Sequence, residues 1–150
     1  AENLLVLIND ILDYNKIEAG KIEFEKIDFD LRQLISNLKQ ANQIKAEEHG
    51  TKIRLMLDED LPKFVVGDPV RLGQVLNNLV SNGVKFTQHG SVTIEVELVK
   101  KDDDLALIHF SVTDTGIGIP ADKHALIFEK FTQANSMVTR QFGGTGLGLA

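Results

Sequence analysis

The 150-residue chain contains no cysteine, which removes zinc ribbons, thiol redox chemistry, a cysteine nucleophile and a disulfide-stapled scaffold at once. The same absence fits a reducing compartment. No stretch approaches the ~18 consecutive apolar residues of a membrane span, and no basic-then-apolar leader opens the chain. Positive charge is in deficit, with 16 Lys+Arg against 22 Asp+Glu and a formal charge of −6. Wrapping nucleic acid needs a concentrated basic face, so no nucleic-acid partner is expected. What remains is 43% apolar and 25% charged, the balance of a globular chain and not of a disordered tail. That length suits one domain, burying roughly 70% of the surface that the unfolded form exposes. The first residues pattern as helix and the last are glycine-rich, so both ends are expected to be cuts through a longer protein.

Leu4, Leu7, Ile11 and Tyr14 form one seam of the opening helix, and Leu5, Ile8 and Leu12 the adjoining one. So wide an apolar arc wants a bundle, with partners upstream or on a second copy, or else the domain's own sheet. Lys21–Asp28 reads as a linker or edge strand. Asp30 is a good N-cap, with Gln33 placed for a capping box and Phe29 and Leu34 for a hydrophobic staple. The helix so opened buries Leu31, Leu34, Ile35 and Leu38 and stops near Gly50. Ile53, Leu55 and Leu57 alternate as a strand. Asp68-Pro69 pairs an N-cap with a first-turn proline and opens a second helix to about Phe86. Its core stripe is expected to be Leu72, Val75, Leu76, Leu79 and Val80. Val92–Leu98 and Ala106–Val112 alternate around the polar Lys100–Asp104 and predict an antiparallel hairpin. The expected fold is therefore α+β, a two-layer sandwich of a mixed β-sheet with helices on one face.

Three pieces carry chemistry. On the second helix, Asn78, Asn82 and Lys85 fall within about 60° of one another, with Arg71 further back. Asparagine offers a neutral oxygen to a hard cation such as Mg²⁺, and lysine offers charge to phosphate. A plain solvated face is the competing reading. Next, Val112-Thr113-Asp114-Thr115-Gly116-Ile117-Gly118-Ile119-Pro120 puts Asp114, by the period of two, on the face of Ile108, Phe110 and Val112. A carboxylate there needs a donor; the amino group of adenine would serve, or Asp114 caps its own turn. Last, Gly143-Gly144-Thr145-Gly146-Leu147-Gly148-Leu149 leaves many backbone N–H groups for an anion. A flexible linker is the alternative. Between the last two pieces, Phe128 and Phe131 precede the polar stretch Gln133–Gln141, which reads as a mobile lid with an aromatic plug. Arg140 can swing onto a phosphate or remain a solvated lid residue.

In this order the pieces resemble the ATP-binding catalytic domain of sensor histidine kinases, within the Bergerat-fold ATPase–kinase group. Asn78–Thr87 is similar to the family's N box and Asp114–Pro120 to its first glycine box. Ile127–Phe131 is similar to the F box, and Gly144–Leu149 to the second glycine box. Leu12–Gly20 resembles the end of the second dimerisation helix and its linker. That divides the chain into residues 1–20, a partial dimerisation helix of a four-helix bundle, and residues 21–150, a catalytic domain truncated at its C-terminus.

The resemblance implies ATP and Mg²⁺ as cofactors. Asp114 receives the adenine amino group, Asn82 ligates the metal, and Asn78 supports it. Lys85 and the amides from Gly144 through Thr145, Gly146, Leu147 and Gly148 to Leu149 hold the phosphates, while Gly116, Gly118 and Phe131 line the nucleotide. Asn78, Lys85 and Arg140 are the candidate catalytic residues. Implied partners are an acceptor-histidine helix absent from this chain, a response-regulator receiver domain, as the hybrid-type wording of the boxes suggests, and a second copy in the full-length protein. A cytoplasmic domain is expected, with a parent protein that can be membrane-anchored. Gly83 departs from the family's usual alanine, which loosens the helix by roughly 1 kcal/mol. His49, His89, His109 and His124 lack the acceptor's setting; His109 is expected in the sheet and the others at the surface. A Bergerat-fold ATPase of the chaperone, gyrase or mismatch-repair kind is the second reading, disfavoured because Asn78 stands where such enzymes place a carboxylate base. A non-catalytic module regulated by nucleotide is the third.

Overall fold

The computed structural model describes residues 19, 20, 23–119 and 122, and residues 25–118 form one compact unit. Strand β1 (Ile27–Asp30) runs directly into helix α1 (Leu31–Glu48), followed by β2 (Lys52–Leu57), β3 (Phe64–Gly67), helix α2 (Pro69–Lys85), β4 (Ser91–Lys101) and β5 (Ala106–Asp114). The main sheet has the order β2-β4-β5. Its β2 and β4 are parallel, with Ile53 opposite Val92, and β4 and β5 form the antiparallel hairpin, with Val92 opposite Asp114. A mixed sheet results, as expected. A separate antiparallel pair, β1 with β3, aligns Ile27 with Gly67 and Asp30 with Phe64.

Both helices pack on one face of the main sheet. Leu31, Ile35, Leu38 and Ala46 of α1 and Leu76, Val80 and Val84 of α2 meet Ile53, Val92, Ile94 and Val96 in one core. The strands supply alternate residues because successive side chains point to opposite faces. The expected α2 stripe is half right. Leu76 and Val80 are buried and Leu72 packs on the core, but Val75 is 57% exposed and Leu79 38% exposed. The buried arc turns instead through Gly83 and Val84, because α2 lies on β4 and β5 along its last two turns. Strand β3 was not expected, and the edge strand lies at 27–30 rather than within 21–28. With four residues apiece, β1 and β3 are too short for an alternation to stand out.

Helix ends follow their chemistry. Asp30 accepts the Gln33 N–H, at 3.0 Å, as N-cap of α1. The reciprocal half of the capping box is not made, since Gln33 Nε2 donates to Asn37 Oδ1 instead. At the other end Gly50 takes a left-handed φ of 65°, its N–H donates to Glu47 O, and Thr51 N–H donates to Ala46 O. That is the Schellman pattern of a glycine stop. Asp68 caps α2 through the Arg71 N–H, with Pro69 in the first turn. The helical segment ending at Phe86, the start of β4 and the end of β5 thus meet at one end of the unit.

Candidate nucleotide site

Asn78, Asn82 and Lys85 are all half-buried on α2, one above the other by helical spacing. Among the described residues the Asn82 side chain makes no hydrogen bond, leaving its amide oxygen available to a hard cation. Lys85 is partly desolvated, and burial lowers its pKa from the ordinary lysine value. Its ammonium lies 5.3 Å from the centroid of the Phe86 ring. A partly desolvated ammonium beside the neutral amides of Asn78 and Asn82 suits a phosphate oxygen.

The turn after β5 is stitched to the end of this helix. Ile117 N–H donates to the Phe86 carbonyl at 3.3 Å. A Cβ on Gly116 would run into that same carbonyl oxygen and come within 2.8 Å of Thr87 Oγ1, so only glycine fits there. Gly118 has φ 74° with open space around it; its glycine answers backbone conformation, not crowding. Thr87 is fully buried beneath the turn, and its hydroxyl has no partner among the described residues.

Asp114 is placed differently from the expectation in one respect. Its Cβ faces α2, 3.6 Å from where a Cβ on Gly83 would stand, so the period of two gave the correct face. The residue itself is exposed, at the last position of the strand. Its Oδ1 accepts the Gly116 N–H at 2.9 Å, which is the turn-capping alternative. Turn capping uses one oxygen, and Oδ2 remains unpaired among the described residues. Both readings are thus compatible in one side chain.

The sequence profile of the histidine kinase-, DNA gyrase B- and HSP90-like ATPases matches residues 67–150. The chain belongs to this ATPase family. Among curated proteins it is 41% identical over 149 residues to the signal transduction histidine-protein kinase BarA of Escherichia coli, covering 99% of this chain and 16% of BarA. It is 43% identical over 147 residues to hybrid signal transduction histidine kinase B of Dictyostelium discoideum, covering 98% of this chain and 8% of that protein. The chain therefore spans a small fraction of the relatives it matches. Among solved structures, full-length ShkA in complex with AMPPNP superposes with a TM-score of 0.79 at 33% identity, over 98% of this chain and 29% of that one. The catalytic domain of the histidine kinase ThkA gives 0.66 at 28% identity, over 83% and 75%. The α+β architecture is thus that of histidine kinase catalytic domains.

Within this ATPase domain the structure places Asn78, Asn82 and Lys85 along α2 and joins the end of that helix to the turn that carries Asp114, Gly116 and Gly118. Phe131, Arg140 and Gly144 through Leu149 lie outside the described residues, as do the opening helix, His124 and the F box. Two residues named in the sequence have a place in the structure that the sequence reading did not give them. Gly83 is no mere weakening of the helix: a Cβ there would sit 3.2 and 3.3 Å from the two methyls of Val92, so the glycine sets how closely α2 approaches the sheet. His49 is half-buried rather than a surface residue, and its ring contacts the end of α2. No hydropathy pattern marks a histidine just beyond a helix as structural; the glycine stop beside it was the available signal. His109 is on β5 as expected, exposed and 3.8 Å from Glu97. Among the described residues no helix is long and apolar enough to cross a membrane.

Proposed function

We propose that this chain is the ATP-binding catalytic part of a two-component sensor histidine kinase. Residues 21–150 act as the catalytic domain and residues 1–20 as the end of a dimerisation helix with its linker. One observation carries the reading: the half-buried Asn78–Asn82–Lys85 face and the Asp114–Gly118 turn stand at the same end of the unit, joined by the Ile117–Phe86 hydrogen bond. A ligand with an amino-bearing heterocycle at one end and phosphates at the other matches that pairing of groups. Asp114 Oδ2 takes the adenine amino group, Lys85 the phosphate oxygens, and Asn82 with Asn78 the metal side. Mg²⁺, when bound, supplies charge neutralisation on the phosphates. Arg140, Phe131, Gly144, Thr145, Gly146, Leu147, Gly148 and Leu149 complete the phosphate and base contacts. An imidazole nitrogen of a histidine on a dimerisation helix attacks the γ-phosphorus, the bond to the bridging oxygen breaks, and ADP leaves.

The kinase relatives support an acceptor helix, a receiver-domain partner and a homodimeric parent, in the cytoplasm where ATP is found and with the parent anchored to a membrane or not. The sister reading is ATP hydrolysis, because the family includes gyrase B-like and HSP90-like enzymes. Water attack then needs a general base, and the neutral amide of Asn78 cannot take a proton. Calorimetric titration with ATP, with and without Mg²⁺, tests the pocket. Asp114→Asn and Asn82→Ala are each expected to weaken binding by about tenfold or more, the loss of one charge-assisted contact. Near-wild-type affinity in both removes the proposal. Mixing the chain with a separate acceptor-helix fragment and labelled ATP then separates kinase from ATPase: acid-labile, base-stable label on the acceptor supports transfer, and free phosphate alone supports hydrolysis.

A further inference from the structure

His49, just beyond α1, reaches across to the end of α2. Its Nδ1 lies 2.9 Å from the carbonyl oxygen of Val84 and 3.3 Å from that of Thr87. Carbonyl oxygens only accept, so Nδ1 carries a hydrogen and donates, whether the ring is neutral or charged. Thr51 Oγ1 adds a second donor to the Thr87 carbonyl, at 3.1 Å, and the His89 N–H donates back to the His49 carbonyl at 2.9 Å. The two carbonyls held by His49 bracket Lys85 and Phe86. The Phe86 carbonyl between them takes the Ile117 N–H and abuts Gly116, whose own N–H is held by Asp114. Hydrogen bonds on three carbonyls at the end of α2, those of Val84, Phe86 and Thr87, therefore link His49 through the backbone there to the turn that carries Asp114.

We propose that His49 is a positioning residue for the nucleotide site. By fixing the end of α2 it holds Lys85, on the phosphate side, at a constant distance from the Asp114–Gly118 turn, on the base side. A ligand gripped at both ends is sensitive to that distance, because misplacement of one group forfeits its contact while the other is made. The inference rests on the reading of the site given above and adds to it a residue outside the motifs that carry that reading. His49 contacts backbone carbonyls that any residue at 84 and 87 would present, so its effect passes through the helix end and not through a ligand.

The test compares His49→Asn with His49→Leu in the 150-residue chain. Asparagine keeps an N–H donor where Nδ1 stands, and leucine removes it. His49→Leu is expected to weaken Mg²⁺–ATP binding about tenfold, on the order of the worth of one lost part-buried hydrogen bond, and to speed hydrogen exchange at the Ile117 amide. His49→Asn is expected to restore both to within about twofold of wild type. A merely structural histidine would instead lower the melting temperature of both variants without singling out Ile117. Should His49→Leu not fold, His49→Gln takes its place, its amide lying one methylene too far and its expected ATP binding weaker than that of His49→Asn. Wild-type ATP affinity in the donor-deleted variant, or a loss that asparagine does not repair, overturns this inference alone. A wild-type chain that binds no ATP overturns the proposed function and this inference with it.

Discussion

At the scale of single residues, the site is shaped as much by missing side chains as by present ones. Gly83 is the clearest case, because two opposing quantities meet there. Alanine would gain roughly 1 kcal/mol of helix propensity. Its Cβ would also press on both methyls of Val92, which is fully buried and stiff at χ1, and overpacking costs about 1–3 kcal/mol. Gly83→Ala is therefore expected to leave stability unchanged or lower, and to raise it by about 1 kcal/mol in a Val92→Ala background, where the space exists. A urea-unfolding double-mutant cycle without such coupling would contradict the close approach. Lys85 makes a second prediction. Burial depresses its pKa in the folded chain below 10.5, so between the folded value and 10.5 the unfolded state binds more protons and stability rises with pH. Lys85→Met is expected to flatten that alkaline rise in thermal melts while weakening ATP binding. Phosphate close to the ammonium should push its pKa back up, which NMR titration of the lysine with and without ATP would register.

At the scale of elements, what could be read in advance follows the strength of local chemistry. Both helices were legible from their ends: Asp30 and Asp68 as caps, Pro69 in the first turn and Gly50 as a stop need only sequence neighbours to act. The long hairpin was legible because eleven- and nine-residue strands, Ser91–Lys101 and Ala106–Asp114, give the period of two room to repeat. Strand β3 was not, since Phe64 and Val66 are exposed on it and only its pairing with β1 makes it a strand. Val75 and Leu79 misled for a related reason: apolar side chains at helical spacing mark a stripe, but which edge of the stripe meets the sheet depends on the docking angle of α2. Cap energetics allow a direct check. Asp30→Ala removes the acceptor for the Gln33 N–H and is expected to cost about 1 kcal/mol, read as a lower urea midpoint with unchanged slope. Asp30→Asn and Asp30→Ser keep an acceptor and are expected to recover most of it. An alanine variant as stable as wild type would mean that the strand-to-helix junction is held by the Leu31 N–H bond to the Lys63 carbonyl, the pairing with β3 and the burial of Leu31, and not by the cap.

At the scale of the whole unit, the junctions between elements depend on ionised aspartates. Asp58, after β2, accepts the Asp60 N–H and the Leu98 N–H of β4, and these backbone bonds hold its carboxyl below the usual value of 3.8. Asp68 accepts from Arg71 and from Glu25, tying the head of α2 to the segment before β1, with its pKa lowered in the same way. Asp102 accepts from Leu105 and Asp104 in the hairpin turn, again with a lowered pKa. For each, the folded value lies below the unfolded one, so the stabilisation is complete above about 3.8 and is lost as pH falls through the folded value. The unfolded chain takes up the protons first. Acid is therefore expected to loosen three junctions together: β2 to β4, the lead-in to α2, and the tip of the hairpin. None of them lies on the Asn82–Lys85–Asp114 end. A chain carrying Asp58→Asn, Asp68→Asn and Asp102→Asn should start from a lower stability at neutral pH and decline less steeply below about pH 4, since fewer groups remain to titrate. Thermal melts of wild type and triple variant across that range compare the two slopes, and parallel acid limbs would show that these carboxylates do not govern how the fold fails.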